Sequence, residues 1–461
     1  GVLADAWRAL PPACSVPAIQ PQLCEPGARV PERLTAEHYA TRLLSELGQA
    51  APGAGNDGRL AADHPALAWR RSGLMHLTGQ PEGHALVCPA ALASAADGAL
   101  LALKALVAEP GRLPARGAPL LGERARLMGL RRQGRASPNG ACRLIDTMDG
   151  RMALNLPRPD DWALLPALFE GQPAADWAAI RRLMAGCRTA DILARAIELG
   201  LAAARDGPPG TVQRLFAPMP PAARPGRPPL VLDFSSLWAG PLAASLLGMA
   251  GAHVVKVESI GRPDGARGGN RRFYDLLNGG KHSVALDFGH RDGLSMLRAL
   301  AATADIVVEA SRPRALRRLG ILREDVVARG GVWLSITGYP AQPDRAGFGD
   351  DAAVEAGLAS VMAQGWGEPL MAGDAIADPL TGLHAALGGW AAWRGGGGQL
   401  VEVSLAGVVA HAIGAGCAGA GALPAWQALA EADTAPLYAL RQPTASAPPL
   451  GADTRNVLAQ C

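Results

Sequence analysis

Aromatic residues are scarce in this chain of 461 residues, at 4%, and lysine is scarcer still, occurring only as Lys104, Lys256 and Lys281. Positive charge is therefore almost entirely arginine, and 44 basic against 41 acidic residues leave a net charge of +3. That balance excludes the clustered basic footprint of a nucleic-acid-binding protein. The seven cysteines (Cys14, Cys24, Cys88, Cys142, Cys187, Cys417, Cys461) are scattered, odd in number and include no C-x-x-C. A disulfide scaffold or zinc site is thereby disfavoured and a reducing cytosol suits the chain. The nine histidines show no metal-ligand spacing, so no metal is expected. The opening Gly1-Val2-Leu3-Ala4-Asp5 lacks a charged n-region ahead of an apolar run, and no signal peptide is indicated. The longest uncharged stretch, 405–430, is diluted by glycine and broken by Pro424; it reads as a packed Ala/Gly-rich helix, not a membrane span. The expectation is a soluble, cytoplasmic protein with neither nucleic-acid nor membrane partners.

What is present points to a folded enzyme-sized chain. Hydrophobic residues make up 49% and charged ones 18%, enough for a real core. The length predicts two domains or one large α/β unit. Between 208 and 229 there are eight prolines, which cannot run through a helix or a central strand. The predicted organisation is an N-terminal part over 1–207, a linker over 208–229 and a C-terminal part over 230–461.

Beyond the linker, apolar strands alternate with helices. Strands are predicted at 231–234, 253–258, 283–288, 305–309, 332–336 and 400–403, with helices at 241–251 and 292–302. Spacing of this kind implies βαβ units, and the right-handed crossover makes a Rossmann-like, doubly wound parallel sheet the default. Before the linker, Asp149-Gly150 between two apolar runs predicts a hairpin with a type I′ turn. Asp160-Asp161 are expected to cap a helix from Trp162, and 189–199 to form a second. The fold class is thus α/β, a Rossmann-like sheet plus a smaller α+β unit at about 143–204. A weak repeat adds to this: Gly73-Leu74 and Gly98 recur 284 positions later as Gly357-Leu358 and Gly382, with Ser94 where Asp378 stands.

Several motifs have two readings. The first βα turn, 233–241, lacks the G-x-G-x-x-G of a dinucleotide site, and Glu258 at the end of the next strand is a weak ribose-binding candidate. Asp378-Pro379 ahead of Thr381-Gly382 reads first as a helix cap. The same position also presents a carboxylate nucleophile at a helix start. Asn278-Gly279-Gly280-Lys281 is either a tight turn with a solvated lysine or a phosphate-facing loop. The 312–320 stretch is either an exposed helix face or a phosphate clamp. Asp350-Asp351 read as solvated or capping acids, and 395–398 as a glycine connector.

In their order along the chain these stretches resemble the family III CoA-transferases, the CaiB/BaiF group that includes formyl-CoA transferase and carnitine CoA-transferase. The resemblance rests on 231–241, 251–258, 278–287, 304–309, 312–320, 335–339, 376–382 and 398–405. It implies that Asp378 is the nucleophile, forming an acyl anhydride and then an aspartyl-CoA thioester. It implies CoA contacts at Leu237, Leu286, Ala310, Ser311 and Arg318. A coenzyme A thioester and a carboxylic acid would be substrates, with no bound cofactor. Relatives form interlocked dimers, so the resemblance leaves open a homodimer or an internal mimic of one. The chain departs from the family at Trp238, Ser259 and His282, and carries Asp350 where the racemases of the group carry a catalytic His. The small unit precedes the large one, opposite to the family's order. The alternatives are an isomerase, racemase or dehydratase of acyl-CoA, and a non-catalytic CoA-binding subunit.

Overall fold

The computed structural model describes residues 34–50, 63–212, 214–220, 227–311 and 314–460. The first five residues, Cys14, Cys24, Cys461, part of the Pro-rich segment (221–226) and Arg312-Pro313 lie outside the described residues.

The N-terminal half is built on helices. The first, α1 (Ala36–Glu46), starts after Thr35, whose hydroxyl accepts the His38 N–H and so satisfies a free donor of the first turn. Two more, α2 (Leu92–Leu106) and α3 (Glu123–Met128), follow. The small unit then forms an antiparallel sheet in the order β1 (Cys142–Thr147), β2 (Gly150–Asn155), β3 (Ala202–Arg205). Its core gathers Ile145, Met152 and Leu154 from the sheet with Ile180, Met184 and Ile192 from helices Trp177–Ala185 and Thr189–Glu198.

The expected hairpin forms, one residue early. Thr147 pairs with Gly150, so Met148 and Asp149 make the turn. Neither has a positive φ, which overturns the type I′ reading. Tertiary bonds set the turn instead: Met148 N–H donates to the Cys187 carbonyl, and Asp149 accepts from the Thr189 N–H and hydroxyl. The helix expected from Trp162 starts at Pro159 instead, so Asp160 and Asp161 lie in its first turn, and Asp161 caps it by accepting the Arg158 N–H.

The C-terminal half holds six parallel strands in the order β6 (His282–Leu286), β5 (His253–Ser259), β4 (Leu230–Asp233), β7 (Ile306–Glu309), β8 (Val332–Thr337), β9 (Gln399–Ser404). Their ends, and those of helices α4 (Ala239–Met249) and α5 (Arg291–Thr303), fall within two residues of the expected positions. Alternate side chains divide between two cores, as the pleat dictates. Leu232, Val255, Val307 and Trp333 face Leu297 and Leu300 of α5. Val231, Val254, Ile306, Val308 and Leu334 face the larger core with α4. Both faces are covered, as an all-parallel sheet requires. The order places its switch point between β4 and β7, the crevice where such sheets bind ligands. The chain end covers the sheet's edge: Asp453 and Thr454 accept the Ser283 and Ala285 N–H groups of β6.

Three further helices complete the frame: α6 (Gly349–Glu355), α7 (Ala377–Arg394) and α8 (Leu405–Ala415). Helix α7 is buried almost all round, which fits a helix with no polar face. It lies between α4 and the N-terminal half. The repeat is visible here. A side chain on Gly382 of α7 would lie 2.8 Å from the carbonyl of Ala239, the first residue of α4. One on Gly98 of α2 would lie 2.6 Å from the carbonyl of Ala36, the first residue of α1. The two glycine helices then meet, Trp390 Nε1 of α7 donating to the Leu106 carbonyl at 3.1 Å; these two residues are themselves 284 positions apart.

Candidate active site

Helix α7 begins at Ala377, so Asp378 is its second residue and Pro379 its third. The expected cap position is therefore not the one Asp378 occupies. The chain turns into the helix at Ala375, whose φ of 43° is left-handed, and Asp378 N–H donates to the Ala375 carbonyl at 2.9 Å. The carboxylate still sits at the positive end of the helix dipole. It is partly exposed.

Gly349, the first residue of α6, lies against it. A Cβ there would stand 2.8 Å from Asp378 Oδ2 and 2.3 Å from the Ala375 carbonyl, so only glycine fits. Its amide favours the ionised carboxylate. Asp350 and Asp351 follow, and neither is solvated. Asp351 accepts from Tyr339 Oη (2.5 Å), Asn155 Nδ2 (2.8 Å) and the Phe348 N–H (3.1 Å), so it is the capping acid. Asp350 accepts the Ala375 N–H at 2.8 Å. Burial, reinforced by Asp374, pushes the Asp350 carboxyl up to about 8, with Arg124 opposing. Burial likewise raises Asp378 to about 7, with Arg124 and the Gly349 amide pulling down and Asp351 and Asp374 pushing up.

Arg124 comes from α3, in the other half of the chain. Its Nε and Nη2 donate to Asp374 Oδ2 and Oδ1 at 2.7 and 2.5 Å, a fork with fixed geometry. Its guanidinium lies 4.9 Å from the Trp238 ring centroid. Asp374 is fully buried. Sequence reasoning missed both: Arg124 is one arginine among many, and Asp374 belongs to no spaced motif. Among the described residues no three His, Cys, Asp or Glu side chains form a metal-binding group.

Residues 229–433 match the family model of CoA-transferase family III. The match covers less than half of the chain. Over 167 residues the chain is 34% identical to succinyl-CoA:glutarate CoA-transferase from Homo sapiens, covering 34% of this chain and 38% of that protein. Over 169 residues it is 35% identical to formyl-CoA:oxalate CoA-transferase from Rhodopseudomonas palustris, covering 34% and 40%. A solved CaiB/BaiF family protein from Brucella suis shares 26% identity at a TM-score of 0.37, over 41% of this chain and 56% of that one. The chain thus spans about 40% of the length of these curated relatives.

Within the matched segment, the other expected site residues except Arg318 lie at the carboxyl ends of the strands. Leu237 follows β4; it is 46% exposed with φ at 70°, and its N–H donates to Asp264 Oδ1. Ala310 and Ser311 follow β7, and a side chain on Gly240 would stand 3.3 Å from Ala310 Cβ, which ties these two strand ends together. Arg318 ends helix Arg314–Arg318, exposed. Leu286 differs, because its side chain is buried in the core beneath α5. Its main chain is paired with β5, the carbonyl accepting the Ile260 N–H at 3.0 Å.

Lys281 fits neither expectation for its loop. It is buried, donating to Asp233 Oδ2 (2.8 Å), the Pro241 carbonyl (2.9 Å) and Asn278 Oδ1 (3.0 Å), so it meets no phosphate and no solvent. Glu258 is engaged by Arg267 and the Asp264 N–H. Glycines 395–398 close the far end of α7, where Gly398 N–H donates to the Gly331 carbonyl, a connector. Two clefts of about 620 and 340 Å³ share Arg314, Pro343 and Asp344, and Glu309 at the end of β7 lines the smaller. Asp378 lines neither.

Proposed function

We propose that the protein moves coenzyme A from an acyl-CoA to a carboxylic acid, with Asp378 as nucleophile. The observation that carries this reading is the Asp378 carboxylate itself. It stands in the first turn of α7, partly exposed, beside a main-chain amide at Gly349 where no side chain obstructs it. The likeness of 229–433 to named CoA-transferases supports the reaction class.

Ionised Asp378 attacks the thioester carbonyl carbon; the C–S bond breaks, leaving an aspartyl–acyl anhydride and CoA thiolate. The thiolate attacks the aspartyl carbonyl of the anhydride, releasing the donor's carboxylate and forming an aspartyl-CoA thioester. The acceptor carboxylate repeats the attack on that thioester. Returning thiolate then takes the acceptor's acyl carbon, and Asp378 leaves as a free carboxylate. Covalent relay divides one difficult exchange into easier acyl transfers. Each tetrahedral oxyanion needs a fixed donor, for which the Gly349 amide is the candidate. CoA would lie over the β4–β7 crevice, meeting Leu237, Ala310, Ser311 and Arg318, with the strand end at Leu286 beside it.

One observation favours a second reading, α-proton exchange on an acyl-CoA: burial raises both Asp350 and Asp378, to about 8 and about 7, so two carboxyls of this region hold protons near neutrality. Incubation with acyl-CoA followed by hydroxylamine or borohydride separates the cases. A label on Asp378 that is absent in Asp378→Asn supports transfer. α-Deuterium exchange without CoA exchange supports the isomerase class. Tight CoA binding with no label means a non-catalytic binding subunit.

A further inference from the structure

The loop leading into α7 is held from the N-terminal half at every turn. Met371 N–H donates to the Gly134 carbonyl at 2.9 Å, and Gly373 N–H to Thr78 Oγ1 at 3.4 Å. Asp374 takes the two-pronged contact from Arg124, and Gln80 Nε2 donates to Glu368 Oε2 at 2.8 Å just upstream. The next residue, Ala375, is bound at both ends of its peptide: its N–H to Asp350, its carbonyl by the Asp378 N–H. A displacement at Asp374 therefore reaches Asp378 through one residue. Gly134, Thr78 and Arg124 all lie outside the matched segment.

We infer that Arg124, contributed by the N-terminal half, is a positioning residue for Asp378: through Asp374 it fixes the loop that sets the carboxylate, and its charge keeps that carboxylate available as an anion. This rests on the proposed reaction only for its consequence; the placement stands by itself. The charged groups acting on Asp378 are Asp351 from α6, Asp374 from the loop and Arg124 from α3, with the Gly349 amide. Two acids and one cation leave the balance sensitive to the cation. Arginine suits the task because a planar fork both binds two oxygens and stacks on Trp238.

The test compares Arg124→Gln and Arg124→Lys with the wild type in the full chain. Acyl capture on Asp378 is followed against pH by hydroxylamine-sensitive label. For Arg124→Gln the acid-side midpoint should move up by about one pH unit or more. Arg124→Lys should keep the midpoint near that of the wild type while capture slows, because charge survives and the fork does not. A purely structural arginine would lower the labelled fraction and leave the midpoint in place, which overturns the inference. Should Arg124→Gln not fold, Arg124→Lys decides: capture at the wild-type rate refutes the positioning role. A second readout, the titration of the Asp378 carboxyl carbon in aspartate-labelled protein, assigned with Asp378→Asn, needs no substrate. If no acyl-CoA labels the wild type, the proposed reaction fails, while this titration still tells whether Arg124 governs Asp378.

Discussion

Replacing Asp350 by asparagine should make the protein more stable, and increasingly so as pH rises. The carboxyl is buried and makes one described hydrogen bond, accepting the Ala375 N–H, which an asparagine oxygen can keep. Its proton leaves near pH 8 in the folded chain, against about 3.8 for an ordinary aspartate. The folded state thus holds this proton more tightly than the unfolded one. Stability is fully present below about pH 4 and is lost progressively as pH climbs towards 8. Each pH unit in that window costs about 1.4 kcal/mol, so the ceiling is roughly 5–6 kcal/mol, and about 4 kcal/mol between pH 5 and 8. Coupling to Asp374 and Arg124, both of which act on Asp350, reduces this to about half. The assay is thermal unfolding of both proteins at fixed scan rate from pH 5 to 9. The difference in Tm should widen by several degrees across that range and level off above pH 8. A difference that stays constant with pH would show that Asp350 does not carry its proton into the neutral range, and would refute the account of the acid cluster.

Gly349→Ala should abolish acyl capture, because its methyl occupies the space of Asp378 Oδ2 and the Ala375 carbonyl. Overpacking of this kind costs about 1–3 kcal/mol, so the variant should fold, and circular dichroism together with labelling checks both halves of the statement. Leu237→Gly should leave stability unchanged or raise it by up to about 1 kcal/mol, since release of a left-handed, exposed leucine offsets the entropy of glycine; denaturant midpoints measure this. Tyr39→Phe should lower stability by about 1–3 kcal/mol. Its hydroxyl is shared between His384 (3.1 Å) and His411 (2.7 Å) in a buried network that continues to Glu46 at 2.9 Å. Thermal unfolding gives the size of the loss, and an unchanged midpoint would mean that this network does not hold α1 to α7 and α8.

How much of this was legible beforehand depends on how far each feature reaches along the chain. The large sheet was readable because buried parallel strands are short apolar runs and their crossover helices are amphipathic, as in 306–309 and 291–303. Asp378 stood out only through the resemblance, since its spacing to Gly382 reads first as a helix cap. β3 was not, since three alanines and an arginine carry no strand pattern; pairing with β2 alone makes them a strand. The hairpin was found and its turn mistaken, because Thr189, 40 residues on, binds Asp149 more strongly than turn chemistry binds Gly150. Arg124 and Asp374 stand 250 residues apart, and no property of either neighbourhood marks them as partners. Lys281 misled for a related reason: a lysine after two glycines looks exposed until Asp233, 48 residues earlier, is folded over it.

The features that break local rules are not spread evenly. Among the described residues, three non-glycine positions have left-handed backbone: Glu170, Leu237 and Ala375. Glu170 closes an exposed helix end in the small unit. The other two flank the proposed reaction, Leu237 at the β4 rim and Ala375 one turn before Asp378. Beside Ala375 stand two of the acids with raised pKa, Asp350 and Asp378, and a fully buried Asp374 whose partner Arg124 comes from the other half. Strained backbone costs about 1–3 kcal/mol per residue, and a buried uncompensated carboxyl costs more. A chain free to choose would have placed alanine or leucine at several of these positions, as it did over the rest of α7. Such costs persist where the arrangement is used, and here they gather around the loop that leads to Asp378, which the N-terminal half binds through Asp374.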